Sequence, residues 1–191
     1  MGDNKFMRQQ IQDKIKAGFS CIKMKIGAID FETEFELLKS VRKEFTKEDI
    51  ELRVDANGAF KPTEALEKLK RLSELDLHSI EQPIKPNQFE DMAFLCEQTP
   101  FPIALDEELI GVFSIDNKQN VLDTIKPQYI ILKPSLVGGY KGSEEWMALA
   151  KEQHIGWWIT SALESNIGLN AIAQWTYSLN TKMYQGLGTG G

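Results

Sequence analysis

The sequence predicts an α/β fold of the (β/α)8 TIM-barrel type, incomplete at its beginning. Three observations predict it. One unit recurs along the 191 residues: a short β-branched run, a polar turn, then a stretch with helical apolar spacing. Seven such runs occur, too many for a small doubly wound sheet and one short of a closed eight-stranded barrel. The chain also opens on a helical pattern, not a strand. A barrel whose first strand lies upstream of Met1 accounts for all three. A seven-stranded remnant would leave two unpaired edges, which is costly. The reading is therefore one barrel domain over residues 1–191, cut from a longer chain.

The elements follow in order. Phe6, Gln10, Ile11, Lys14 and Ile15 share one helical face, which Gly18 closes. "CIKMKIG" (21–27) is the first strand. Phe31, Phe35, Leu38 and Phe45 form the stripe of the next helix. "IELRVDANG" (50–58) is the second strand, and Pro62 opens a helix as a first helical residue tolerates. Ala65, Leu66, Leu69 and Leu72 line that helix. Further strands are "HSIEQP" (78–83), "PIALDEE" (102–108), "QYIILKP" (128–134), "WWITS" (157–161) and "MYQGLG" (183–188), with helical patterns between them. Strands alternating with helices give a parallel sheet. Trp146, Trp157 and Trp158 read as core or strand–helix contacts.

Composition narrows the function. With 42% hydrophobic and 26% charged residues the chain reads as an ordinary globular protein. A net charge of −6 without basic blocks argues against nucleic acid. No apolar run is long enough to span a bilayer, and "MGDNKFMRQQ" has no signal-peptide core. Phe6 stands where a myristoylation signal needs Ser or Thr. Cys21 and Cys96 have neither metal-ligand spacing nor a disulfide framework, so a reducing cytoplasm is the default.

The chemistry lies at the strand ends. Lys25, Asp55, Glu81, Asp106 and Lys133 end five successive strands, at steps of 25 to 30 residues. Each step is one βα unit, so the five are expected at one height on the C-terminal rim, where barrel active sites form. Lys23 falls on the same face as Lys25, one layer down. Three carboxylates at one mouth repel, by about 4 kcal/mol per pair at ~4 Å and an effective dielectric of about 20. A hard divalent cation offsets this, so Asp55, Glu81 and Asp106 are the expected ligands of Mg²⁺, with Mn²⁺ as the alternative. The cation keeps open positions for a substrate carboxylate and acts as a Lewis acid. Lys25 is the expected base for the α-proton of that carboxylate, and Lys133 is expected across the mouth. The cation and the ammonium groups of Lys23 and Lys133 favour a neutral base. Taken singly, each residue has a plainer reading: a solvated lysine, or an acid that starts a turn or caps a helix. The ordered set of five at one-unit spacing outweighs those readings.

"KMK", "VDANG", "IEQP", "LDEE" and "ILKP", in that order, resemble the barrel domain of the enolase superfamily, muconate-lactonising-like branch. "TSALESNIGLNAIAQW" (160–175) and "GLGTGG" (186–191) carry a narrower likeness, to the o-succinylbenzoate synthases of menaquinone biosynthesis. The resemblance implies a lyase that dehydrates a cyclohexadiene carboxylate, a reaction in which an enediolate is stabilised next to Mg²⁺. It implies that Lys25 removes the α-proton and returns it to the departing hydroxyl, and that Lys133 stabilises the enediolate. Lys23 and Asn57 would hold the substrate; Thr160, Ser161 and Gly186 would meet its succinyl tail. "SALES" equally reads as an ordinary helix start. The resemblance also implies an N-terminal capping domain that this chain lacks, so that the chain alone binds Mg²⁺ weakly and turns over poorly. The capping segment or a second copy of the chain would then be its partner.

Rival readings use the same residues differently. N-succinyl amino acid racemisation or epimerisation, or muconate-type cycloisomerisation, needs only the two lysines. Dipeptide epimerases carry a D-x-D motif on the last strand; "YQGLGTGG" has no acid. A Schiff-base aldolase on Lys133 fits poorly with three acids at strand ends. A purely structural module has no use for the charged rim.

Overall fold

A computed structural model describes residues 4–188, and the side chains of residues 8–188. The side chain of Phe6 and the last three residues of "GLGTGG" lie outside them. The chain divides into two compact units. The first gathers the chain up to Gln88 with Gln98–Ile103; the second gathers Phe89–Glu97 with the chain from Ala104 onward. Both are parallel α/β, the class that the alternating pattern predicts.

The first unit runs α1 (Asn4–Lys16), β1 (Cys21–Lys25), α2 (Phe31–Glu44), β2 (Glu51–Asp55), α3 (Pro62–Leu72) and β3 (Ser79–Glu81). Asp30 caps α2 by accepting from the Thr33 N–H at 3.1 Å. Phe35 and Leu38 of this helix are buried, as are Ala65, Leu69 and Leu72 of α3 and Leu52, Val54 and Ile80 of the sheet. Arg71 of α3 lies over the Phe35 ring at 4.5 Å and pairs with Glu32, joining the two helices at the surface. β1, β2 and β3 pair in parallel, with Lys25 opposite Asp55 and Asp55 opposite Glu81. The pairing of β2 with β3 continues past the strand ends. Ala56 N–H donates to Glu81 O (3.0 Å), Gly58 N–H to Gln82 O (2.7 Å) and Phe60 N–H to Pro83 O (3.0 Å). Gly58 is required there: a Cβ would stand 2.9 Å from Lys85 Cα, and its φ is +72°.

The second unit runs α4 (Phe89–Gln98, whose last residue belongs to the first unit), β4 (Ile103–Leu105), α5 (Ile115–Ile125), β5 (Tyr129–Leu132), α6 (Gly139–Glu152), β6 (Gly156–Ile159) and α7 (Asn166–Ser178). Trp146 and Trp158 are buried as expected, while Trp157 is half-buried. Lys118 is fully buried, satisfied by Gly142 O (2.9 Å) and Glu145 Oε2 (2.8 Å), and ties α5 to α6. The expected seventh strand at 183–188 is not a strand. It is one parallel bridge, Gly186 to Thr160. Gln185 turns its side chain inward, and its Oε1 takes the Ile159 N–H at 2.7 Å. With two glycines beside it, this run has few side chains to pack as a strand.

Among the described residues no helix is long and apolar enough to cross a membrane. Cys21 and Cys96 are free thiols. Burial pushes both up to about 12, with Glu108 adding to the effect at Cys96. A thiol raised on folding stabilises the protein fully below its unfolded pKa, and that contribution is lost as pH rises. Above about pH 8.5 Cys96 should therefore cost about 1.4 kcal/mol of stability per pH unit. Urea unfolding at pH 8 and pH 10 should show a steeper loss in the wild type than in Cys96→Ala; equal losses would remove the effect.

Candidate active site

In the first unit the register places Lys25, Asp55 and Glu81 side by side at the ends of three parallel strands, with Lys23 and Arg53 in the row beneath. Side chains opposite one another in a sheet share a face. Asp55 is 1% exposed and Glu81 2%, so two carboxylates are removed from water together. Lysines compensate them. Lys23 Nζ lies 2.6 Å from Glu81 Oε2 and 3.3 Å from Asp55 Oδ2. Lys25 Nζ lies 3.0 Å from the same Asp55 Oδ2 and 2.5 Å from Asn57 Oδ1. Asn57 adds a main-chain N–H to Asp55 Oδ1 at 3.0 Å, from a left-handed conformation (φ +44°) that Asn tolerates.

The charges shift one another. Burial alone would push the Lys23 ammonium down, but Glu81 and Asp55 more than offset it and hold it above the usual lysine range. Burial would raise Asp55, yet Lys23, Lys25 and the Asn57 N–H keep its carboxyl below the usual range. The Lys25 side chain is 59% exposed, more open than an inward-facing residue suggests, but its amine is turned onto Asp55 and Asn57. Arg53 is buried and pairs with Glu51 at 2.6 Å.

In the second unit Asp106 follows β4 immediately and is 1% exposed. Lys133 follows β5, and its Nζ pairs with Asp106 Oδ2. Thr160, Ser161 and Gly186 come together: Ser161 N–H donates to Gly186 O at 3.1 Å and Gly186 N–H to Ile159 O at 2.8 Å. Thr160 is buried, and its hydroxyl has no hydrogen-bond partner among the described residues. Glu164, which the sequence reading passed over, accepts from Ser135 Oγ at 2.7 Å. Burial would raise its carboxyl, but Ser135, two main-chain N–H groups and the charge of Lys133 hold it below the usual range. Its only sequence signal is the acid in "SALES".

The donors Asp55 and Glu81 in one unit and Asp106 in the other are all carboxylates, without thiolate or imidazole. Carboxylate oxygens are the donors that a hard cation such as Mg²⁺ takes. Among the described residues no group of three or more His, Cys, Asp or Glu side chains is placed to hold a metal ion.

Residues 6–189 match the family described as enolase C-terminal domain-like. The chain is 56% identical over 190 residues to an o-succinylbenzoate synthase of Desulfotalea psychrophila, covering all of this chain and 51% of that protein. The crystal structure of MenC from Desulfotalea psychrophila superposes with a TM-score of 0.93 at 54% identity, over 100% of this chain and 52% of that one. An N-succinylamino acid racemase of Thermus thermophilus is 32% identical over 83% of this chain and 40% of its own length. The chain thus spans about half the length of the relatives it matches. Its parallel βα units are part of a larger barrel, and the chain belongs to the enolase C-terminal domain-like family.

Proposed function

We propose that this chain carries the catalytic barrel segment of a Mg²⁺-dependent o-succinylbenzoate synthase, a cytoplasmic enzyme of menaquinone biosynthesis. Its substrate is a small carboxylate, 2-succinyl-6-hydroxy-2,4-cyclohexadiene-1-carboxylate. The observation that supports the reading is the row Lys25–Asp55–Glu81, in a chain 56% identical to a protein of that name.

The Lys25 amine takes the proton from the carbon bearing the carboxylate, and the electron pair passes into that carboxylate as an enediolate. The pair then returns to form the ring double bond as hydroxide leaves the adjacent carbon. Lys25, now protonated, delivers its proton to that hydroxide on the same face, so water leaves and the ring becomes aromatic. Lys23, kept protonated by Glu81 and Asp55, is a fixed positive charge that orients the substrate. Asn57 Oδ1 accepts from the Lys25 amine and orients it. Lys133 contributes positive charge to the enediolate. The unpartnered Thr160 hydroxyl suits the polar end of a succinyl tail. Asp55, Glu81 and Asp106 would hold Mg²⁺, which supplies Lewis-acid charge when bound.

The test is mass-spectrometric detection of o-succinylbenzoate from the diene by the complete gene product, with and without EDTA. Product that depends on Mg²⁺ is expected; no product at any metal concentration would overturn the reading. Likeness to the Thermus racemase favours a second reading, racemisation of N-succinyl amino acids by the same lysines. Solvent deuterium entering an N-succinyl amino acid, without dehydration of the diene, would favour that one.

A further inference from the structure

We infer that Glu34 is a positioning residue for Lys25: its carboxylate fixes the loop that follows β1 and so sets where the Lys25 amine lies. The inference rests on the reading of Lys25 as the proton-transfer base. Glu34 stands in the first turns of α2, a place where an acid is usually solvated, yet it is only 6% exposed. A carboxylate leaves water only when its oxygens are satisfied. Here three consecutive main-chain N–H groups satisfy it. Gly27 N–H lies 2.8 Å from both Oε1 and Oε2, Ala28 N–H 3.1 Å from Oε1, and Ile29 N–H 3.3 Å from Oε1. Charge-assisted bonds of this kind are the strong ones. One side chain therefore holds the whole turn between β1 and α2.

The turn matters because of what it touches. Gly27 has φ +88°, and a Cβ there would collide with Ala59. The clamp thus presses the Lys25 turn against the loop carrying Asn57, which accepts from the Lys25 amine at 2.5 Å. Just before it, Ile26 N–H donates to Asp55 O at 2.8 Å. The long Lys25 side chain is 59% exposed, so packing does not fix it. Its amine is placed by its two acceptors and by the backbone from which it starts, and Glu34 governs that backbone.

The test uses the purified chain. Amide hydrogen exchange at residues 27–29 is read together with the rate at which an amine-acylating reagent modifies Lys25 at one fixed pH, mapped by mass spectrometry. Lys70 and Lys141, exposed and remote in sequence, serve as internal controls. Glu34→Gln is expected to speed exchange at 27–29 and to raise Lys25 modification severalfold, with the two controls unchanged. Glu34→Asp, which keeps the charge on a shorter stem, is expected to fall between Gln and wild type; it carries the test if Glu34→Gln yields no folded protein. Unchanged Lys25 modification in the folded variant would overturn the inference, even if the loop exchanges faster. In the complete gene product Glu34→Gln should lower kcat about 100-fold with KM little changed, the cost of misplacing a reacting group by about an ångström. Full dehydration by Lys25→Ala would remove the base reading while leaving the labelling result intact.

Discussion

Lys25→Ala is expected to lower dehydration of the diene by about a thousandfold, within the range that a positioned general base supplies. Stability should hardly move. The side chain is 59% exposed, and an exposed ion pair is worth at most about 1 kcal/mol. Asp55 keeps Lys23 and the Asn57 N–H as partners when Lys25 is cut back. The variant therefore separates chemistry from folding. Lys25→Arg should be equally inactive, because a guanidinium does not give up its proton in this pH range. Product formation by mass spectrometry and thermal unfolding of the same samples check both halves. A residual rate within about tenfold of wild type would sink the assignment, since a base contributes at least about a hundredfold.

Lys23→Met is expected to act in the opposite way, destabilising the fold by about 2 kcal/mol in the presence of EDTA: Glu81 is buried but the Lys23 side chain is 34% exposed, which puts the pair between a surface and a buried one. Methionine replaces much of the stem but not the charge. Glu81, at 2% exposure, then loses its 2.6 Å ammonium, while Asp55 is left with Lys25. The double variant Lys23→Met/Glu81→Gln should recover part of the loss, because it removes the buried Glu81 charge along with the ammonium that compensates it. If Asp55 and Glu81 hold a divalent cation, Mg²⁺ should stabilise the single variant and do less for the double one. Urea unfolding of the three proteins, with and without Mg²⁺, measures all of this. A loss below about 1 kcal/mol would show that Lys23 behaves as a surface residue.

Much of this was legible in the chain. A charged residue closes each of the first five β-branched runs and marks a strand end, and β1, β2 and β3 stop at Lys25, Asp55 and Glu81. The one-unit spacing gave their common height, which the register bears out. The two-residue period puts Lys23 one layer down, and its backbone starts there, but its stem is long enough to carry the ammonium up to Glu81. Periodicity cannot say whether a side chain substitutes for a strand, which is why Gln185 defeated the seventh-strand expectation. Glu34 was hidden for a related reason. An acid in the first turns of a helix reads as a partner for the helix dipole, and nothing local reveals that it folds back onto residues 27–29. Glu164 was hidden likewise, its link to Ser135 spanning 29 residues.

The pairing of β2 with β3 beyond their ends has an evolutionary consequence. Segments 56–60 and 82–84 are joined backbone to backbone, as firmly as the sheet from which they emerge. They make a floor, not a flap. A mutational library aimed at Ala56, Gly58 and Phe60 should return mostly misfolded protein, whereas selection at exposed positions elsewhere remains free to explore.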